Sequence, residues 1–327
     1  MLAAEFFAGM GLMRAGLQHC GIETVFANDI DSNKAALYRE NWGNSELVVR
    51  DIRSLSGDDI PTVNLATASF PCVDLSLAGN RAGLHGSTRS SVIFDFCRIL
   101  KEMRYRAPST ILIENVPGFL TANRGKDFEK VNGYLQRLDY QVAYGCVNAS
   151  AFLPQSRNRV FILGSREAMP VLIEPPSPRD DLCLATVAKK DDGEWWPPSR
   201  LGAFLSSLSP AQADRVKTYQ RCDRIRYFGA YRRTRDGRAV WEVRADEKAG
   251  ALRTTRGGSA RQAILRAGQG KLSVRWMNVG EYARLQGADE FRFNSVSVQQ
   301  ALFALGDAVC VPVIEWIGCN WLKRILL

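Results

Sequence analysis

The first half of the chain alternates between two patterns. Short apolar runs read as buried strands: LAAEFFAG, ETVFAND, SELVVRDI, TVNLATASF, PSTILIENV, YQVAYGCVNA and RVFILGSR. Between them, apolar residues recur at the three- and four-residue spacing of amphipathic helices. LMRAGLQHCG is a helix ended by Gly21, SNKAALYRENW a helix with Ser32 at its cap, and SSVIFDFCRILKEMRYR and DFEKVNGYLQRLDY two more. Strand–helix alternation of this kind predicts an α/β fold built on a doubly wound, mostly parallel sheet.

At VLIEPPSPRDD the alternation stops, and Pro175, Pro176 and Pro178 mark a linker. From there to about residue 275 periodicity is weak and arginines crowd in. QRCDRIRYFGAYRRTRDGRAVWEVR interleaves them with Tyr227, Phe228, Tyr231 and Trp241. Helical pattern returns in NVGEYARLQG and VQQALFALGDAVCVPVIEWIGCNWLKRIL. The expected organisation is a main domain over 1–170, a smaller irregular domain over 171–275, and a return segment over 276–327 that completes the first. The last segment is apolar, but Glu315, Asn320, Lys323 and Arg324 interrupt it, as fits a helix packed on a core rather than a membrane span.

Composition narrows the function. With 46% hydrophobic and 24% charged residues the chain is an ordinary globular protein, and its net charge of +9 suits a polyanionic partner. Only His19 and His85 are present, too few for a histidine triad or a histidine-rich metal site, and no metal is expected. The eight cysteines are scattered with no C-x-x-C pair, which argues against a secreted disulfide scaffold and for a reducing cytoplasm. MLAAEFFAGMGL lacks the basic flank of a signal peptide.

Four pieces carry candidate chemistry. In FFAGMG, Gly9 and Gly11 follow the first strand and let the backbone approach a ligand, and Asp29 ends the second strand where it can accept from ribose hydroxyls. The place of a third dinucleotide-type glycine is taken by Arg14, which favours an adenosine compound such as S-adenosylmethionine over NAD; the plain alternative is a tight turn. Cys72, in TASFPCVDLSLAGN, leaves the fourth strand as either a small buried hydrophobe or a nucleophile. Glu114, in ENV, ends the next strand, and parallel neighbours deliver their C-terminal ends to one sheet edge. QSRNR adds Arg157 and Arg159 at alternating positions, a pattern that elsewhere is often a solvated face.

Taken together, these pieces resemble the DNA cytosine-5 methyltransferases, of the compact prokaryotic or phage type, in order, spacing and residue type. FAGMG resembles the family's cofactor turn, FPC its nucleophile motif, ENV its acid motif and QSRNR its Q-x-R-x-R motif. GEYARLQG (Glu281, Arg284, Gln286, Gly287) resembles the support of the target-recognition domain, and GDAVCVPV the closing G-N-x-V motif. Leu12, Val73, Ser90 and Asp307 depart from the family's usual glycine, glutamine, glycine and asparagine.

The resemblance implies a Rossmann-like methyltransferase sheet (1–170 and 276–327) with a target-recognition domain (171–275). It implies methyl transfer from S-adenosylmethionine to C5 of a flipped cytosine in duplex DNA through a covalent Cys72–C6 adduct. Glu114 would act at N3, Arg159 at O2, and Arg157 on the phosphate backbone or the thiolate. Phe7, Gly9, Met10, Gly11, Asp29, Ile30, Asp51, Ile52, Pro71 and Asp307 would surround the cofactor. Arg81 and Arg89 in the loop LAGNRAGLHGSTRSS, with Arg226, Arg232, Arg233, Arg235 and Arg256, would contact DNA. It further implies a cytoplasmic, nucleoid-associated monomer with no membrane partner, and it allows a cognate restriction endonuclease in the same system. The rival readings are an RNA (tRNA) cytosine-5 methyltransferase, a catalytically silent nucleic-acid-binding member of the fold, and an NAD-dependent oxidoreductase. The last lacks its glycine and its acid.

Overall fold

The computed structural model describes residues 1–71, 92–188, 193–235, 237–254 and 260–326. Cys72, Arg81, Arg89 and Arg256 lie outside the described residues, as does the side chain of Arg235.

The chain opens with β1 (Leu2–Phe6), α1 (Leu12–Gln18), β2 (Glu23–Asp29), α2 (Ser32–Trp42), β3 (Leu47–Val49) and β4 (Leu65–Ala68). It continues with α3 (Val92–Glu102), β5 (Thr110–Asn115), α4 (Gly118–Thr121), α5 (Lys126–Gln136), β6 (Gln141–Asn148), β7 (Gln155–Ser156) and β8 (Asn158–Ser165). Then come α6 (Ala185–Ala188), α7 (Pro198–Ser206), α8 (Pro210–Gln220), β9 (Arg226–Arg235), β10 (Arg238–Val243), β11 (Ala249–Gly250), β12 (Ala263–Gly268) and β13 (Lys271–Trp276). The last helices are α9 (Val279–Gln286), α10 (Val298–Asp307), α11 (Val311–Ile317) and α12 (Lys323–Leu326).

Two compact units result. The first holds Met1–Val147, Asn158–Pro176 and Val311–Leu327, and the second Asn148–Arg157 and Ser177–Cys310. The exit thus falls at 176 rather than 170, and the return at 311 rather than 276. Helical periodicity marks where α9 and α10 lie, but not which sheet they pack on. α9 is tied to the second unit by a fully buried ion pair between Glu281 and Arg275 of β13.

In the first unit seven strands run in the order β3-β2-β1-β4-β5-β8-β6. β3, β2, β1, β4 and β5 are mutually parallel, and β8 runs antiparallel to β5. The order reverses between β1 and β4, so the loops after those strands frame the crevice in which open α/β sheets bind ligands. α3 packs its buried face of Ile93, Phe96, Ile99 and Leu100 on this sheet, with Phe96 edge-on to Phe6 at 5.2 Å between centroids. The cap of α2 is Asp31 rather than Ser32: its carboxylate accepts from the backbone N–H groups of Asn33 and Lys34, which serine as the first helical residue cannot do.

α1 packs on α11 so closely that a Cβ on Gly16 would come within 2.6 Å of Ile314 Cβ. Beside this contact Cys20 and Cys319 form a disulfide, with Cα atoms 5.6 Å apart. That corrects the expectation of reduced thiols at one pair. Pairing depends on proximity in space, and the chain termini of this unit meet although 299 residues separate the two cysteines. The stretch Val298–Ile325 is long and apolar enough to cross a membrane, but 61% of its most apolar window is buried in the protein, as fits a core helix.

The second unit is built on an antiparallel sheet of order β10-β9-β12-β13. α7 and α8 cover one face, burying Phe204 and Val216 with Phe228, Trp241, Leu265 and Val274. Tyr219 stacks on Phe228 at 3.8 Å. Phe228 and Trp241, which in sequence interleave with arginines as nucleic-acid-binding aromatics do, are therefore core residues.

Candidate active site

The turn after β1 is held by contacts from three directions. Phe7, Gly9 and Gly11 all have positive φ (57°, 59° and 85°), a conformation that glycine adopts freely and phenylalanine only under constraint. Asp29, buried at the end of β2, supplies that constraint: one carboxylate oxygen accepts from Gly9 N–H at 2.7 Å, the other from Asp31 N–H at 2.8 Å. Trp42 lies under the turn and donates its indole N–H to the Met10 carbonyl at 3.3 Å, leaving no room for a Cβ on Gly11.

Arg14, the residue where a dinucleotide fold would have glycine, stacks on Trp42 at 4.7 Å. It also donates to the Tyr38 hydroxyl at 2.9 Å and to Glu46 at 3.2 Å. Sequence reasoning missed this support of Arg14, Tyr38, Trp42 and Glu46, because its contacts span 24 to 32 residues.

Glu5, inside β1, is fully enclosed, and one of its carboxyl oxygens has no hydrogen-bond partner among the described residues. Burial drives its pKa to about 8 against the lowering influence of Arg14, and nearby Asp29 pushes the same way as burial. Because the folded pKa lies above the unfolded one, the folded state holds the proton more tightly. The resulting stability is complete below about pH 4.5 and is lost as pH rises towards 8. Glu5→Gln should therefore remove up to about 1.4 kcal/mol per pH unit of stability loss in that window. Urea unfolding of both proteins across that pH range measures it, and parallel pH profiles would refute it.

The glycine turn is open above Gly9, where a Cβ would meet only Lys34 Cδ at 3.9 Å. Next to the buried Asp29 carboxylate, Ile30 is 64% exposed, an apolar shelf at the strand end. An adenosine compound fits this set: backbone at the turn, a carboxylate for ribose and an apolar surface for a base. Met10 and Ile52 are buried, so their side chains are not presented to a ligand. Asp51 caps a short helical turn and is gripped by Arg53, whose hydrogen bonds hold its carboxyl below the usual range.

At the neighbouring strand ends, Glu114 and Asn115 close β5. Arg159 of β8 reaches Glu114 with Nε 3.0 Å from the carboxylate, so QSRNR delivers one arginine directly onto the candidate acid. The antiparallel register that pairs Asn115 with Val160 places them together. Asn115 donates its side-chain amide to the Phe70 carbonyl at 3.2 Å, fixing the end of β4 beside Pro71, which precedes Cys72. Nothing in the sequence singled Asn115 out beyond its place in ENV.

The other members of QSRNR serve the second unit. Gln155, fully buried, accepts from Leu252 N–H at 3.0 Å and donates to the Leu285 carbonyl. Arg157 is 3% exposed and donates to the carbonyls of Leu252 at 2.9 Å and Ala308 at 2.7 Å. A phosphate contact needs an exposed guanidinium, so of its two expected roles that one is not available. Asp307 ends α10 in this unit. Of the expected DNA-contacting arginines, Arg226 is paired with Glu247 at 2.7 Å and Arg233 with Glu242 at 3.1 Å.

The seven-stranded sheet, with the open turn and the acid at one edge, is a Rossmann-like fold of the mixed α/β class. The chain belongs to the C-5 cytosine-specific DNA methylase family, whose model matches residues 1–323. It is similar to the Type II methyltransferase M.NgoBI of Neisseria gonorrhoeae, 28% identical over 319 residues that cover 95% of this chain and 90% of that protein. It is also similar to M.Bsp6I of Bacillus sp. (strain RFL6), 32% identical over 166 residues, 50% of this chain and 51% of that one; the chain spans about half the length of several curated relatives that it matches. Among solved structures the fold is shared with the Entamoeba histolytica methyltransferase EhMeth, with a TM-score of 0.68, 16% identity, and coverage of 100% and 97%. It is shared too with S. pombe Dnmt2, with a TM-score of 0.61, 18% identity, and coverage of 99% of each chain.

Proposed function

We propose that the protein methylates C5 of a cytosine flipped out of duplex DNA, with S-adenosylmethionine as the methyl donor. The observation that carries this is the Glu114–Arg159 pair, which stands at the same sheet edge as the open glycine turn and the end of β4 at Phe70 and Pro71. Gly9, Gly11, Asp29 and Ile30 would hold the cofactor, with the backbone near Asp51 and Ile52. When bound, S-adenosylmethionine supplies an electrophilic methyl group.

The Cys72 thiolate gives its electron pair to C6 of the ring, and the displaced density makes C5 nucleophilic. Glu114 in its protonated form hydrogen-bonds N3, and the Arg159 guanidinium beside it faces the charge developing at O2. After C5 is methylated, loss of the C5 proton and cleavage of the C6–S bond return the electron pair to sulfur and restore the ring. A base inside a duplex exposes neither face, so flipping is required.

The Type II names of its relatives support a place in a restriction–modification system with a cognate endonuclease, and Arg14 in place of the third dinucleotide-type glycine disfavours the oxidoreductase rival. Methyl transfer from labelled S-adenosylmethionine to duplex DNA, with RNA in a parallel assay, tests the assignment; labelled RNA with unlabelled DNA would replace it. Asp29→Ala should weaken cofactor binding by ~1–3 kcal/mol, since the carboxylate both offers acceptors and holds the turn. Unchanged affinity by calorimetry would exclude Asp29 from the site.

A further inference from the structure

In the second unit, Trp276 is faced by guanidiniums from three separate elements. Arg200 of α7 lies 5.4 Å from the ring centroid, Arg232 of β9 5.6 Å, and Arg261, ahead of β12, 5.6 Å. Arg200 stacks also on Trp196 at 4.5 Å, and Arg232 on Trp241 at 5.8 Å. The register explains the convergence. Ala230 pairs with Ala263, which pairs with Trp276, and Arg232 and Arg261 each lie two residues further along, on the same face. Arg232 and Arg261 therefore continue the core face of the sheet where it runs out towards the β9–β10 hairpin, and Arg200 of α7 joins them at Trp276.

Like charges do not gather without compensation. Arg226, Arg233, Arg244 and Arg275 of the same unit each meet a carboxylate, from Glu247, Glu242, Asp246 and Glu281. Among the described residues Arg200 and Arg261 form no such pair, and Arg261 spends two nitrogens on the Met277 carbonyl. Burial, with the charge of Arg200 adding to it, holds the Arg261 pKa below its usual value. Stacking on indole orients a guanidinium plane without using its N–H donors, which stay directed along the plane, where an anion binds.

We propose that Arg200, Arg232 and Arg261, gathered around Trp276, form a phosphate seat that anchors the backbone of duplex DNA to the second unit irrespective of base sequence. The proposal rests on the DNA reading above. Side chains pressed onto tryptophans at the margin of a core are poorly placed to project into a groove, so they position the duplex and do not read it. Neither Arg200 nor Arg261 stood out in the sequence, because what joins them is Trp276, which is distant from both in the chain.

The test is the salt dependence of binding, by fluorescence anisotropy of the full chain on two unrelated duplexes. Arg200→Ala should lower the log–log salt slope by about one, and Arg200→Ala with Arg261→Ala by about two, equally on both duplexes. Arg200→Lys, which keeps the charge, should recover much of the slope. Arg200 is exposed, so its variants remain informative if those at Arg261 fail to fold. An unchanged slope would reduce the cluster to packing, and a loss confined to one base position would make it a reader; either overturns the seat. Failure of the underlying reading would instead show in the wild-type protein, as absent duplex binding.

Discussion

Cys72→Ser is expected to abolish methyl transfer, by at least ~10³-fold, with duplex binding and S-adenosylmethionine binding close to wild type. A thiol gives up its proton far more readily than a serine hydroxyl, so the substituted side chain cannot donate an electron pair to C6 at a useful rate. The flanking geometry should survive, since Phe70 is buried and its carbonyl is held by Asn115, contacts that do not involve the sulfur. Duplex DNA carrying 5-fluorocytosine should trap the wild-type protein covalently, because C5 then has no proton to lose before the C6–S bond can break. The same DNA should not trap the serine variant. Gel shift under denaturing conditions reads both results, and substantial methylation by Cys72→Ser would remove the covalent mechanism.

Which features were legible in the sequence follows from which interactions are local. β2 and α2 fall on the segments whose pattern announced them, since strands buried on both faces read as unbroken apolar runs. The direction of β8 against β5 carries no such signature, yet it is what brings Arg159 to Glu114. Arg14 registered only as a missing glycine, whereas in the fold its charge bridges Tyr38 and Glu46 beneath the turn. In the second unit the signals were present but diluted. α7 and α8 both begin with proline in their first turn, α8 directly after Ser209, and in β9 Phe228 and Ala230 point into the core on either side of Gly229. Four arginines within that strand masked its period of two. Whether an arginine is bare or neutralised is not a local property at all. Arg226 and Arg233 look like Arg200 in the sequence, and only the fold brings Glu247 and Glu242 to the first two.

Glu281→Ala should destabilise the second unit by about 3–5 kcal/mol, the largest stability effect expected from one substitution here. Glu281 and Arg275 are both fully buried, and the carboxylate receives two guanidinium nitrogens, at 2.8 and 2.5 Å. It also accepts the Asn278 N–H at 2.9 Å, closing the capping box that starts α9. Truncation leaves a buried guanidinium with no counter-charge and removes the cap at the same stroke. Four of the seven tryptophans (Trp195, Trp196, Trp241 and Trp276) belong to this unit, so urea unfolding followed by tryptophan fluorescence should show its transition shifted to lower denaturant. The double replacement Glu281→Leu with Arg275→Met removes both charges together and should be markedly less destabilised than Glu281→Ala, because the penalty comes from the unpaired ion and not from the loss of the bridge itself. S-adenosylmethionine binding at the proposed residues of the first unit (Gly9, Gly11, Asp29 and Ile30) should persist in Glu281→Ala under conditions where DNA methylation is already lost. A loss of stability below about 1 kcal/mol would mean that water or a neighbouring carboxylate reaches Arg275, and that the pair does not hold α9 on the second sheet.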